Sequence, residues 1–490
     1  MRTLTDRALN LAQVQGASYA DIRIVRRRTQ DITVKNGIVE ALSDDESQGF
    51  GVRVVVDGAW GFASSALLSP AEVDRITAMA VQIARASALF KVHDVRLGPP
   101  VAYTGSYRTP VKIDPWQVSL DQKIDLLLKA DQGLRATPGV MVAESSLGLW
   151  QENKTFANTE GAFIEQEIVE SGGGIEALAV DPQKGEVQKR SYPNSFGRDQ
   201  RSEGWEAIVV MDLPGNAERT GAEAVALLSA PQCPSGVRTI ILGATQLALQ
   251  IHESCGHPIE LDRVFGTEAS YAGTSFLTPE KYRNFRYGSD IVNLTADATI
   301  PGGLGTFGWD DEGVPSQRVP IVRSGQFVGY LTSRETAQQL REIVGPTAPE
   351  TSGGAMRADG WNRIPIIRMT NVNLEPGEWE LDDLIADTDD GIYMELNKSW
   401  SIDDKRLNFQ FGTEIAYEIK NGKMGQMLKN ATYTGITPQF WGSCDAICNS
   451  NHWRVWGTPN CGKGQPGQTA HTGHGAAPAR FRNIQVGVMK

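Results

Sequence analysis

Apolar and polar residues alternate at Ile22 and Ile24 and again at Ile32 and Val34, immediately before Asn36-Gly37. Period-two alternation closed by Asn-Gly predicts strands joined by a tight hairpin turn. The stretch "FGVRVVVDGAWGFASS" from Phe50 repeats that signal around Asp57-Gly58. Ser69-Pro70-x-Glu72 reads as a capping box with proline at the first helical position, opening a helix whose apolar face carries Val73, Ile76, Ala80 and Ile83. The opening "MRTLTDRALNLAQ" reads as an amphipathic helix and not as a secretory signal, because charges interrupt its apolar residues.

Further along, the pattern divides the chain into three parts. The Pro-containing "LGPPVAYTGSYRTP" marks a boundary, after which "SLDQKIDLLLKADQGL" reads as a helix and residues 139–190 as strands. "NAERTGAEAVALLS" predicts another helix, and "SAPQCPSG" punctuates the chain ahead of a buried strand, "VRTIIL". Later turn signals at Ser324-Gly325, Glu375-Pro376-Gly377, Asp389-Asp390-Gly391 and Asn421-Gly422 separate short apolar stretches. The expected fold is α+β. N-terminal α+β units over 1–100 and 101–234 are built on hairpin sheets, and a β-rich C-terminal domain over 235–490 carries the metal-site helix described below.

Composition narrows the function classes. The 490 residues leave room for two or three buried cores, and 51 Gly with 24 Pro suit many turns. Lys plus Arg number 47 against 58 Asp plus Glu, and the resulting net charge of −11 argues against a nucleic-acid partner. No apolar run is long enough to span a bilayer, so no membrane partner is expected. Five cysteines (Cys233, Cys255, Cys444, Cys448 and Cys461) make a poor disulfide framework in so long a chain. They point to a reducing, cytoplasmic location.

"ATQLALQIHESCGH" has the apolar content of a buried helix with Thr245 as its N-cap, and it ends on His252-Glu253-x-x-x-His257. Zinc proteases commonly place two histidines four apart, roughly 40° around an α-helix, whereas five apart leaves roughly 140°. An undistorted helix could not aim both at one ion. Gly256 and Pro258 flank the second histidine, and proline disfavours α backbone at the residue before it, so the last turn can distort. Glu253 would then stand beside the open coordination position, suited to take a proton from water.

A catalytic zinc takes three protein ligands. Candidates for the third are Cys461, Cys255, Cys444, Cys448, Glu260 and the distal histidines. Cys461, in "GTPNCGKGQPGQ", is expected in a tight loop that presents its thiolate to a cleft. Cys444, Cys448 and His452 are each four apart and would form a second cluster on a helix, but "PQFWGSCDAICNSNHWRVWG" is not clearly helical. Asp310-Asp311-Glu312-Gly313 reads as an acidic turn in preference to a cation site.

The segment from His252 to Asp262 matches an HExxxHxxExD signature, and on it the chain resembles the TldD/PmbA metallopeptidases. "WDDEGVPSQ" from Trp309, "GYLTSRETA" from Gly329, "RMTNVNLEPG" from Arg368, "DDGIYM" from Asp389, "FQFGTEIAYEIKNGK" from Phe409 and "NCGKGQ" from Asn460 are similar to family segments in family order. The resemblance implies that His252, His257 and Cys461 bind zinc, one ion per chain, and that Glu253 is the catalytic base. Glu260 and Asp262 are expected to support the site, orienting a histidine as outer acceptors. His471 and His474 are candidates to replace a ligand or to donate to the developing oxyanion.

The resemblance further implies a peptidase acting on short or unfolded peptides, including precursors trimmed to maturity, in an enclosed cleft. An extended peptide could pair there with a strand edge. It also implies a homodimer, or a heterodimer with a related family subunit. One departure is that the family's glycine-rich stretch after "GIY" reads "ELNKSWSIDDKR" here, which would alter substrate preference. Two other readings compete: a catalytically silent supporting subunit, and a structural zinc protein in which a fourth ligand such as His474 closes the site.

Overall fold

The computed structural model describes residues 1–267, 274–464 and 467–487, so Gln465 and Pro466 of the Cys461 segment lie outside the described residues. The expected hairpins form: Asn36 and Gly37 sit at φ 49° and 82°, and Asp57 and Gly58 at 50° and 74°. Positive φ at both central residues is what a two-residue turn between twisted strands requires. Strands Ala59–Ser65, Ile38–Val56, Tyr19–Lys35, Val140–Asn158, Phe163–Asp181 and Thr104–Arg108 lie side by side in that order in one eight-stranded sheet. Glu186–Tyr192 and Asp199–Arg201 complete it, both pairing with Phe163–Asp181. Strands from residues 19–65 and from residues 104–201 therefore share a sheet, and Thr104–Arg108 lies within the stretch expected only to mark a boundary.

Helices cover this sheet by their apolar faces. Arg2–Val14 and Pro70–Ala88 bury Ala8, Ala12, Val73, Ile76 and Ala80 against Ile22, Ile24 and Val52. Leu120–Arg135 and Leu213–Ser229 bury Leu127, Leu134 and Ala217 against Leu147 and Ala177. Two local expectations need correcting. Ile83 is 40% exposed and Ala84 takes the buried position instead, because the helix face rotates past Ile83. Ser69 accepts from Glu72 N at 3.3 Å, but the Glu72 carboxylate turns outward to Arg75, leaving half a capping box.

The C-terminal part is β-rich, as expected. Asp390–Ile402 pairs with Gly236–Leu242, then follow Ala479–Val486, Thr432–Ile436 and Asn408–Lys420, and the last pairs back to Asp390–Ile402. The pairing thus closes a ring. Asn421-Gly422 and Ser324-Gly325 turn with positive φ, whereas Asp390 and Gly391 open a strand in place of the turn expected there. Arg454–Lys463 and Gln468–Ala476 form a separate hairpin. The acidic turn is a wedge into the N-terminal sheet: Asp311 meets Lys154 at 2.6 Å, and Glu312 lies 3.6 Å from Arg53 and accepts from Arg334 N at 2.7 Å. The Asp311 and Glu312 carboxylates are committed to these partners, and Asp310 accepts from Glu312 N, Val314 N and Met356 N. No helix among the described residues is long and apolar enough to cross a membrane.

Candidate metal centre

The strand Gly236–Leu242 runs straight into the helix Ala244–Ile251. Gly243 is therefore the N-cap, and Thr245 falls inside the first turn, where its hydroxyl accepts from Leu396 N at 3.3 Å. That corrects the expected Thr245 cap. Past Ile251 the helix widens into a π turn over His252–Gly256, in which His257 N donates to His252 O. A π turn inserts one residue per turn, so a spacing of five does what a spacing of four does in an α-helix. The two imidazoles meet edge-to-face, with centroids 4.9 Å apart. Pro258 then forces the 3-10 turn His257–Ile259. Gly256 is closely packed, since a Cβ there would lie 2.0 Å from Met369 Sδ and the methionine side chain would have to shift.

Ligand-capable atoms of His252, His257 and Cys461 lie within 4.8 Å of one another, the only such group of three among the described residues. Cys461 Sγ is 3.8 Å from His257 Nε2. Each histidine is held by its other nitrogen. His257 Nδ1 lies 3.0 Å from Glu260 Oε2, and His252 Nδ1 lies 2.7 Å from His474 Nε2. His474 Nδ1 in turn faces Val372 O at 3.2 Å, so His474 donates to that carbonyl and accepts from His252. This chain of bonds leaves Nε2 of both His252 and His257 as lone-pair donors.

The electrostatics agree with that assignment. Burial lowers the pKa of His252 and drives His257 and His474 well below the ordinary histidine value, which keeps the rings neutral. Burial alone would raise the Cys461 thiol, but its neighbours, the Arg368 guanidinium first among them, outweigh it and hold the thiol below its usual value. Two neutral imidazoles and a thiolate are a donor set for a borderline-soft divalent ion. Tetrahedral coordination at such ligands separates them by about 3.5 Å, so atoms no more than 4.8 Å apart would close by about 1.3 Å at most. The residues fit the ion.

Cys461 is on the strand Arg454–Lys463, not in the tight loop expected, at an irregularity in register between Thr458 and Cys461. Buried Arg368 donates to Cys461 O at 2.5 Å and to Gln468 O at 3.0 Å, pinning both strands of the hairpin. Asp262 does not orient a histidine but supports the site from the other side. It accepts from Lys463 Nζ at 2.7 Å and so anchors the strand that carries Cys461.

His471 and His474 part company because strand side chains alternate: residues three apart face opposite ways. His474 faces His252, whereas His471 bonds Glu170 at 2.6 Å on the other side and does not enter the site. Cys255 points to Tyr287 Oη at 3.2 Å, with burial pushing its thiol up to about 12. Cys444 is buried on its own strand, and His452 pairs with Glu380 at 2.8 Å, so neither joins a second cluster.

Glu253 is 6% exposed and meets Arg406 Nη1 at 2.5 Å. The cluster opens on a cleft of about 540 Å³ walled by Leu249, Trp400, Arg406, Arg198 and residues 457–462. The sequence reading missed Arg406, Arg368 and Lys463. Arg406 lay in the stretch that departs from the glycine-rich pattern, and Arg368 and Lys463 lay in segments similar to the family's, but nothing in the sequence assigned any of them a role.

Comparison with known proteins accounts for this arrangement. Models of the PmbA/TldA metallopeptidase family match residues 20–84 as domain 1, 113–230 as the central domain and 235–488 as the C-terminal domain. A metalloprotease of Methanocaldococcus jannaschii is 29% identical over 477 residues, covering 96% of this chain and 98% of its own. A TldD homologue of Haemophilus influenzae is 25% identical over 99% of this chain and 96% of its own. Among solved structures, TldE of Thermococcus kodakarensis superposes with a TM-score of 0.73 at 17% identity, covering 99% of each chain. A Thermotoga maritima protein named as a candidate modulator of DNA gyrase reaches 0.75 at 19% identity, covering 99% of this chain and 100% of its own. These likenesses, together with the HExxxH segment and its converging ligands, show that the chain belongs to the PmbA/TldA (TldD/PmbA) metallopeptidase family.

Proposed function

We propose that this chain is a zinc-dependent peptidase that hydrolyses short or unfolded peptides, including precursors trimmed to maturity, within an enclosed cleft. His252, His257 and Cys461 hold the ion and Glu253 is the base. The observation that carries this reading is the convergence of two neutral histidines and a depressed thiol beside a cleft that Glu253 also lines. When bound, a divalent ion supplies Lewis acidity to the scissile carbonyl and makes an attacking water more acidic. Glu253 accepts the water's proton and returns it to the leaving amine. Glu260 and His474 fix the rings of His257 and His252, and Arg368 fixes the backbone of Cys461.

Residues 457–462 line the cleft from a hairpin strand, which offers an extended peptide backbone groups to pair with. The likeness to a TldE supports assembly with a second copy or a related family subunit. We place the protein in the cytoplasm. The structural-zinc reading is disfavoured by His474, whose Nε2 is committed to His252 and not to the cluster. A silent subunit would have no use for Glu253 beside the histidines.

Elemental analysis of the purified protein and of His257→Ala and Cys461→Ala tests the ligand set. The expected result is one zinc per chain in the parent and loss in both variants. Zinc retained without Cys461 would overturn the ligand assignment, and no metal after reconstitution would overturn the peptidase reading.

A further inference from the structure

The cleft carries a charge arrangement that general peptide hydrolysis does not use. Among its lining residues Glu253 is the single carboxylate, set against two guanidiniums, Arg406 and Arg198. Arg198 is committed to Asp31 at 2.9 Å. Arg406 enters from the turn between strands Asp390–Ile402 and Asn408–Lys420, where its own backbone is left-handed at φ 64°. Its side chain spends one N–H on Glu253, through Nη1, and its Nε is buried with no partner among the described residues. A guanidinium offers five N–H groups in a fork that matches a carboxylate. The base is thus held by a cation that has donors to spare and faces the substrate space. Half-exposed Trp400 forms an adjacent apolar wall.

Resting on the peptidase reading, we infer that Arg406 is the specificity-determining residue of the cleft: it receives a carboxylate carried by the peptide close to the scissile bond, and turns from Glu253 as it does so. Two carboxylates then compete for one guanidinium. A peptide that brings its own carboxylate releases Glu253 to act as base, whereas a neutral peptide leaves the base in its ion pair. No bond is made or broken in this exchange. An acidic side chain and a free C-terminus share the required chemistry, and the test separates them.

Three related heptapeptides serve as probes: a C-terminal carboxamide, the same peptide with a free carboxylate, and a carboxamide with Glu replacing a central Gln. Their binding is measured by calorimetry on chelator-treated protein, where no hydrolysis intrudes. Glu253→Gln removes the competing carboxylate, so it should tighten binding of a carboxylate peptide on the order of tenfold while leaving the neutral peptide unchanged. Whichever acidic probe gains identifies the source. Adding Arg406→Gln should abolish the discrimination. With metal restored, the parent should favour that same peptide in kcat/KM, and Arg406→Gln should bring the ratio near one. Equal binding of all three peptides to Glu253→Gln, or discrimination that survives Arg406→Gln, overturns the inference. Discrimination in binding with no hydrolysis by the parent overturns the peptidase reading alone.

Discussion

Glu260 is the most informative position for testing how the site holds its ion. Its carboxylate accepts from His257 Nδ1 at 3.0 Å, and both side chains are buried. The bond fixes the imidazole plane and makes Nε2 a better electron-pair donor to an ion held together with His252 and Cys461. Glu260→Gln keeps the shape and an acceptor oxygen but removes the charge; Glu260→Ala removes the bond altogether. Outer partners of this kind are worth about 10- to 100-fold in metal affinity, or roughly 1.4–2.7 kcal/mol. The glutamine variant should sit near the lower figure and the alanine variant near the upper. The fold should survive in Glu260→Gln, since Lys463, 3.5 Å from Glu260, keeps closer bonds to Asp262 and to Ile367 O, each at 2.7 Å. Competition with a chromophoric chelator reads the affinity directly. Asp262→Asn is the control: it loosens Lys463 but touches neither histidine, so it should lower the unfolding midpoint more than the affinity. Parent-like metal affinity in Glu260→Ala would refute the reasoning.

Stability of the metal-free protein should depend on pH through its buried histidines. His252, His257 and His474 are all depressed below the ordinary value of 6.5, mainly by burial. Their stabilisation is therefore fully present above that value and is lost as pH falls through the folded-state values, where the unfolded chain takes up more protons. A lower urea midpoint at about pH 5.5 than at about pH 7.5 is expected, with metal affinity falling in the same direction, and a flat midpoint would contradict it. Gly256→Ala sets a Cβ against Met369, which is fully buried, and should cost about 1–3 kcal/mol of stability and disturb the π turn. Parent-like thermal stability and metal content in that variant would show that the turn tolerates a side chain.

Much of this architecture was legible because its signals are local. Asn36-Gly37 and Asp57-Gly58 each specify a hairpin through backbone conformations that few other residue pairs adopt cheaply. The π turn was foreshadowed by five-residue spacing together with Gly256 and Pro258, and Glu260 reaches His257 from three positions away. What escaped depends on tertiary placement. Arg406 lies 153 positions from Glu253, and Arg368 lies 93 from Cys461, so no local pattern ties either to the site. His471 and His474 looked interchangeable until the segment proved to be a strand, where alternation sends only one of them inward. The Cys461 segment is rich in Pro and Gly and reads as a loop by composition, yet hairpin pairing overrides that preference. The continuous N-terminal sheet was likewise invisible, because Tyr19–Lys35 pairs with Val140–Asn158 across a long sequence gap.

The central claim is that Glu253 is a proton-transferring base at a metal centre, and Glu253→Gln tests it most directly. Metal content and hydrolysis of an unstructured peptide are measured side by side in the parent and the variant, both reconstituted with zinc. The account predicts one ion per chain in each protein and a loss of turnover in the variant of at least about 100-fold. Hydrolysis at the parent rate by a fully metal-loaded Glu253→Gln protein would contradict it.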